Sequence, residues 1–159
     1  MAIEIERKFL VLDQSWRHGA VPVLYRQAYL AASKEVTVRV RLAGDSGFLT
    51  IKGGGNSCSR LEFEYAIPAA EAAEMLETLC PGPHIEKNRF SLKHQGFSWV
   101  VDEFLGANHG LVIAEIELEH ASQAFIRPPW LGREVTGDSR YYNACLARTP
   151  FCDWAQESR

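Results

Sequence analysis

The run Glu35-Val36-Thr37-Val38-Arg39-Val40-Arg41-Leu42 limits what this chain can fold into more than any other stretch. Successive side chains of a β-strand face opposite ways, so a strict two-residue alternation of apolar and polar residues describes a strand with two unlike faces. Here Val36, Val38 and Val40 point one way, and Thr37, Arg39 and Arg41 the other. The N-terminal run Glu4-Ile5-Glu6-Arg7-Lys8-Phe9-Leu10 repeats the grammar with acids: Glu4, Glu6 and Lys8 share a face opposite Ile3, Ile5, Arg7 and Phe9. Two carboxylates and an ammonium are costly on a half-buried strand. That face is either solvated or the wall of a polar cavity.

The same period recurs along the chain. Strands are predicted over Leu24 to Leu30 (with Tyr25, Arg26, Gln27 and Tyr29), Phe48 to Lys52, Arg60 to Ile67, Ile85 to Leu92, Phe97 to Phe104 and Leu111 to Glu119. Gly44 to Gly47 supplies a hairpin turn and Gly53-Gly54-Gly55-Asn56-Ser57 a flexible loop. Pro68 opens a predicted helix over Ala69 to Leu79, whose Ala72, Met75, Leu76 and Leu79 fall at helical spacing before Pro81-Gly82-Pro83 stops it. A short helix is predicted around Ala121 to Phe125, then a Pro128-Pro129-Trp130 loop, then a helix near Ser139 to Ala147 with Asp138 as N-cap. The expected fold is mainly β (α+β): about eight antiparallel strands closed into a barrel, with a few helices outside. Residues 1–159 are expected to form one domain, with 149–159 a tail of unassigned role.

A chain of 159 residues, 47% hydrophobic and 23% charged, has material for a core. Its net charge of -3 attracts neither nucleic acid nor an anionic membrane, so anion binding must come from local clusters. No apolar run approaches the ~18 residues that span a bilayer, and the charged N-terminus is not that of a signal peptide. Cys58, Cys80, Cys145 and Cys152 lie far apart, as expected of reduced cysteines in a cytoplasmic protein. The five histidines are equally scattered, so any metal would be oxygen-ligated, which favours Mg2+ or Mn2+ over zinc.

Acidic pairs at period two are Glu4/Glu6, Glu62/Glu64 and Glu115/Glu117; basic pairs are Arg39/Arg41 and Lys87/Arg89, with Lys8, Lys52 and Asp102 in similar settings. Such pairs arise by chance in a chain this charged, so their number is no argument. Their setting is: signs come in blocks, whereas solvated sheet faces mix them. Two readings stand. One is the solvated outer face of a sandwich. The other inverts the barrel, with apolar alternates outward under helices and charged ones lining a hydrated, nearly neutral tunnel. A polyphosphate bound with divalent metal would give both signs a partner.

Glu4-Ile5-Glu6-Arg7-Lys8 resembles the E-x-E-x-K signature of the CYTH superfamily, the triphosphate tunnel metalloenzymes. The order of Arg39-Val40-Arg41, Lys52, Glu62-Phe63-Glu64, Lys87-Asn88-Arg89, Asp102 and Glu115-Ile116-Glu117 resembles that family too, and Pro128 to Asn143 is similar to the closing region of its short bacterial members. The resemblance implies an eight-stranded tunnel that binds a triphosphate and one or two Mg2+ or Mn2+ ions. It assigns Lys8, Arg39, Arg41, Lys52, Lys87 and Arg89 to the phosphates. Glu4, Glu6, Glu62, Glu64, Asp102, Glu115 and Glu117 go to metal and water, although Glu62 and Glu64 are alternatively read as orienting the bases. Tyr29 matches a family tyrosine near the phosphates, with a catalytic role beside Lys8. Arg60 and Arg133 are read as extra phosphate contacts or surface ion pairs, and Tyr25, Phe63 and Trp99 as packing residues.

The family runs several reactions on one tunnel, so fold alone does not choose among them. The expected activity is metal-dependent hydrolysis of inorganic triphosphate to pyrophosphate and phosphate, because little aromatic material is spare for stacking a base. The alternatives are a class IV type adenylate cyclase, an NTPase, a thiamine triphosphatase, or a polyphosphate-binding module without turnover. The expected partner is a small triphosphate, with no nucleic acid and no membrane; monomer and homodimer both stay open.

Overall fold

In the computed structural model, which describes residues 3–56 and 58–155, the alternation closes into a barrel. Its strands are β1 (Ile3–Val11), β2 (Pro22–Ala32), β3 (Val36–Ala43), β4 (Ser46–Gly53), β5 (Ser59–Ile67), β6 (Ile85–His94), β7 (Phe97–Phe104), β8 (Val112–Glu117) and β9 (Leu131–Glu134), with helices α1 (Ala69–Thr78) and α2 (Asn143–Arg148). Neighbours are antiparallel in the order β5-β4-β3-β2-β6-β7-β8-β1, and β1 pairs back onto β5 through Ile3 opposite Leu61 and Ile5 opposite Ser59. That closes an eight-stranded ring. β9 is an extra strand on β1 beyond the β5 pairing, where Phe9 meets Glu134 and Val11 meets Leu131.

Register decides which faces meet. Tyr29 stands opposite Arg39, Arg39 opposite Thr50, Lys52 opposite Glu62, Lys8 opposite Glu115, Glu6 opposite Glu117 and Arg89 opposite Asp102. Directly opposed residues share a face, so the charged alternates of every strand gather on the inside. The outer alternates are apolar, and two layers cover them. Ala72, Leu76 and Cys80 of α1 and its end lie on Ala28 and Val40. Gly47 permits that approach, because a Cβ there would stand 2.9 Å from the Ala72 Cβ and 2.8 Å from the Ile67 oxygen. The other layer packs Trp16, Trp130 and Phe125 on Phe9, Phe90 and Trp99. Leu76 and Trp99 are almost wholly buried, and truncating either to alanine should cost ~2–5 kcal/mol. Cover is incomplete: Phe63 and Tyr65 of β5 remain 40% and 55% exposed, so Phe63 is not the packing residue expected.

Part of the interior is apolar. Leu10, Ile85, Phe104 and Ile113 each sit two residues from Lys8, Lys87, Asp102 or Glu115 and share their inward face. The C-terminal segment covers them with Val135, Tyr141, Leu146 and Trp154. The tail is therefore seated through Trp154, which donates to the Thr149 oxygen at 3.1 Å, and Phe151, whose N–H donates to Asn108 at 2.8 Å; residues 156–159 lie outside the described ones.

Three local expectations change. The helix around Ala121 to Phe125 does not form: Phe125 is drawn edge-on to Phe9, Phe97 and Trp99, and Pro128 and Pro129 bar continuation. The helix near Ser139 to Ala147 splits into a 3-10 turn over Ser139–Tyr141 and α2, with Tyr142 extended between them; Asp138 does accept a bond from the Arg140 N–H. The Gly53–Ser57 loop is a hydrogen-bonded turn as far as it is described, since Asn56 accepts from the N–H groups of Cys58 and Ser59. Gly55 has φ +83°, and a Cβ there would lie 1.8 Å from the Ser59 oxygen. Ser57 is outside the described residues. Among the described residues, no helix is long and apolar enough to cross a membrane.

Candidate active site

The barrel encloses a cavity of about 860 Å³. Glu4, Glu6, Lys8, Tyr29, Arg39, Arg41, Lys52, Glu62, Glu64, Lys87, Arg89, Glu115 and Glu117 all line it. Asp102 does not. It faces inward like Arg89 opposite it but is fully buried, and Lys87 reaches its Oδ2 at 2.7 Å while Arg89 grips both its oxygens at 2.7 Å. Held by two cations and absent from the cavity lining, Asp102 is placed to orient Lys87 and Arg89.

The bases divide by how they are held. Burial alone would lower the Lys8 pKa, but Glu115 at 2.7 Å and Glu6 at 3.1 Å outweigh it and raise it. Lys8 is thus held in its charged form between two carboxylates. Burial, assisted by Arg89, brings Lys87 down to about 8 against the pull of Asp102 and Glu115; its Nζ also donates to Asn143 Oδ1 at 3.1 Å. Arg41 and Arg39 reach Glu64 Oε2 at 3.1 and 3.6 Å, and Thr50 donates to the same oxygen at 2.9 Å. Glu64 therefore orients the two arginines. Tyr25, read from sequence as packing, lies under both Arg41 and Arg89, whose guanidinium carbons are 5.1 and 4.9 Å from its ring centre. Trp99 is packing, as expected.

The acids divide too. Burial would raise the Glu115 pKa, yet Lys8, Arg89 and Lys87 hold it well below the usual carboxylate range. Across the cavity, Lys52 serves both Glu4 at 2.5 Å and Glu62 at 2.7 Å. Burial and the neighbouring Glu62 raise Glu4 despite Lys52, and burial with Glu4, Glu62 and Glu6 raises Glu117. Glu4, Glu6, Glu62 and Glu117 thus crowd one wall with less positive charge than they need. Among the described residues, no three carboxylate, histidine or cysteine groups converge as a ready-made metal cage, because Lys52 stands between Glu4 and Glu62. The donor set is nonetheless all oxygen and short of cation, which suits Mg2+ or Mn2+.

Tyr29 lies among Arg39, Lys52, Lys8 and Arg60; burial raises its pKa against those cations. Its phenol is neutral and makes no hydrogen bond to another described side chain, which leaves an O–H free to donate. Arg133 does not line the cavity and contacts the Tyr141 hydroxyl at 3.3 Å. Three more cations do line it: Lys34, Arg60 and Arg148. The wall therefore carries nine cations against six carboxylates (Glu4, Glu6, Glu62, Glu64, Glu115, Glu117), a net positive lining and not the near-neutral one expected. Arg148, Lys34 and Asn143 escaped the sequence reading because strand alternation does not reach loops and helix ends.

The arrangement is matched in known proteins. The CYTH domain family model aligns with residues 2–143. This chain belongs to the CYTH family. An inorganic triphosphatase of Acetivibrio thermocellus is 52% identical over 151 residues, covering 95% of this chain and 97% of that protein. An inorganic triphosphatase of Nitrosomonas europaea is 42% identical over 149 residues, covering 91% and 96%. The crystal structure of the inorganic triphosphatase NE1496 superposes with a TM-score of 0.63 at 38% identity, covering 92% of this chain and 95% of that one. The tunnel is thus the CYTH tunnel, and the inverted-barrel reading holds over the sandwich.

Proposed function

We propose that this CYTH protein hydrolyses inorganic triphosphate to pyrophosphate and phosphate with Mg2+ or Mn2+. One observation carries the reading: a closed tunnel whose opposite walls are segregated by charge, one rich in paired cations and one in under-compensated carboxylates. The names of the two relatives, which align over nearly their full length, support it.

In this reading Arg39, Arg41, Lys8, Lys87 and Arg89 grip the phosphate oxygens, and Glu64 and Asp102 hold those bases in place. Glu4, Glu6, Glu62 and Glu117 hold the metal, with Lys52 shifting toward phosphate; Glu115 stays with Lys8 and Arg89. The bound ion would neutralise phosphate charge and make a coordinated water easier to deprotonate. An O–P bond to the terminal phosphorus forms as the bond to the bridging oxygen breaks, and pyrophosphate leaves with that electron pair. The water's proton goes to a carboxylate of the acid wall. Lys8 and the arginines, already charged and already oriented, stabilise the spreading negative charge without reorganising. Tyr29 donates its O–H to a phosphate oxygen.

The test is phosphate release from tripolyphosphate and from ATP, with and without Mg2+ or Mn2+. Metal-dependent release from tripolyphosphate, well above that from ATP, is expected. Cyclic AMP from ATP, or tight binding without turnover, would replace this reading with a cyclase or a binding module.

A further inference from the structure

We propose that Gln27 is a positioning residue for the phosphate grip: its side-chain oxygen accepts from the Nε–H of Arg41 when the ends of that guanidinium turn to a phosphate. The proposal rests on the triphosphatase reading of the tunnel and adds one residue to its machinery.

Most inner bases follow one rule. Lys8, Arg39, Lys52 and Arg89 are each bonded to the side chain directly opposite on a neighbouring strand: Glu115, Thr50, Glu62 and Asp102. A residue across one rung can hold a base with little reach, because the two Cβ atoms lie about 5 Å apart. Arg41 breaks the rule. Its opposite neighbours are Gln27 on β2 and Phe48 on β4, and its bond to Glu64 runs through a terminal nitrogen, Nη2, at 3.1 Å. The rings of Tyr25 and Phe48 lie 5.1 and 5.2 Å from its central carbon and offer the guanidinium no acceptor in its plane.

Gln27 shares the inward face with Tyr25 and Tyr29 of β2. It is 0% exposed, and among the described residues neither its Oε1 nor its Nε2 has a hydrogen-bond partner; the Arg41 Nε is buried without one as well. Buried polar groups left in that state are costly. Here an acceptor without a donor stands across one rung from a donor without an acceptor. Glu64 occupies one of the terminal nitrogens that a two-point grip on phosphate needs. Once phosphate takes those nitrogens, Nε–H is the group left to tether the side chain, and Gln27 is the acceptor opposite it. Arg39 also has an unpaired Nε, but it stands opposite Tyr29 and Thr50 and is already held by Thr50.

The test is a double-mutant cycle between Gln27→Met and Arg41→Lys, read by calorimetric binding of tripolyphosphate with Mg2+, by kcat and KM, and by melting temperature. Methionine keeps the length of glutamine without its amide, and lysine carries a methylene where arginine has Nε–H. Gln27→Met should weaken tripolyphosphate binding about tenfold in the wild-type background, chiefly through KM. In the Arg41→Lys background it should change binding by less than about twofold. The melting temperature of Gln27→Met should equal or exceed that of wild type, since an unpaired buried amide is removed, whereas a merely structural glutamine would lower it. The same cycle with Arg39→Lys should be additive. Unchanged binding in Gln27→Met, an equal loss in the Arg41→Lys background, or coupling to Arg39 instead would overturn the proposal; Gln27→Leu repeats the comparison should Gln27→Met fail to fold. Wild type that binds tripolyphosphate without turning it over would overturn the triphosphatase reading alone, since the cycle is still read from affinity.

Discussion

Two groups of carboxylates stand within one barrel, and sequence pattern alone cannot tell them apart. Asp102, Glu115 and Glu64 each meet two or more cations; the first is fully buried, and Glu115 is held strongly ionised. Glu4 and Glu62 share Lys52, Glu117 makes no ion pair among the described residues, and burial with mutual repulsion raises Glu4 and Glu117. The difference teaches what each group is for. A saturated carboxylate fixes bases that grip phosphate; an unsaturated one has capacity left for a divalent cation.

The comparison breaks most visibly at Asp102. Asp102→Ala should leave Lys87 and Arg89 buried without their partner and destabilise the protein by ~3–5 kcal/mol, read as a fall in the urea midpoint at unchanged m-value. Glu117→Gln should do the opposite, leaving stability unchanged or slightly higher while weakening metal affinity and metal-dependent turnover by on the order of 10–100-fold. If Glu117→Gln unfolded the protein while Asp102→Ala left it stable, the two groups would have to be exchanged.

The alkaline limb sharpens the contrast from the cation side. Lys87 titrates near 8, below its unfolded value of 10.5. Its folded-state pKa is depressed, so the burden of keeping it charged is present below about pH 8 and is relieved as pH rises from there towards 10.5. Stability should therefore gain from Lys87 over that window while phosphate binding loses a charge. KM for tripolyphosphate should climb above pH 8, by up to about tenfold per unit, and Lys87→Gln should flatten that limb. A KM independent of pH from 7 to 10 would remove Lys87 from the grip.

Tyr29→Phe tests a smaller quantity. Losing one neutral O–H donor should lower kcat/KM about fivefold, with the melting temperature little changed. Smallest of all, Arg133→Gln should leave KM within error, because Arg133 faces Tyr141 and not the cavity.

These contrasts mark what was legible. The charges of Arg39, Arg41, Glu4, Glu6 and Lys8 could be grouped on one face from their alternation with Val, Ile and Phe, since period two fixes a face; that this face is the inner one followed from the family resemblance. Period two does not fix depth, which is why Asp102 looked like a lining ligand. Nor does it report pairing: Glu64 and Glu62 have the same pattern, yet cross-strand register gives one two arginines and the other a lysine shared with Glu4. β9 is four residues without alternation, and it forms because β1 offers a free edge past Ile5. The seating of Trp154 and Leu146 depends on Ile85, Phe104 and Ile113 facing inward, where only charges were sought.

The central claim is that the Glu4, Glu62 and Glu117 wall takes the metal while Glu64 holds arginines. Mn2+ binding to wild type, Glu117→Gln and Glu64→Gln, followed by electron paramagnetic resonance at neutral pH, tests it directly. Affinity should fall on the order of 10–100-fold in Glu117→Gln and stay near wild type in Glu64→Gln. Loss of Mn2+ binding in Glu64→Gln with Glu117→Gln unaffected would contradict it.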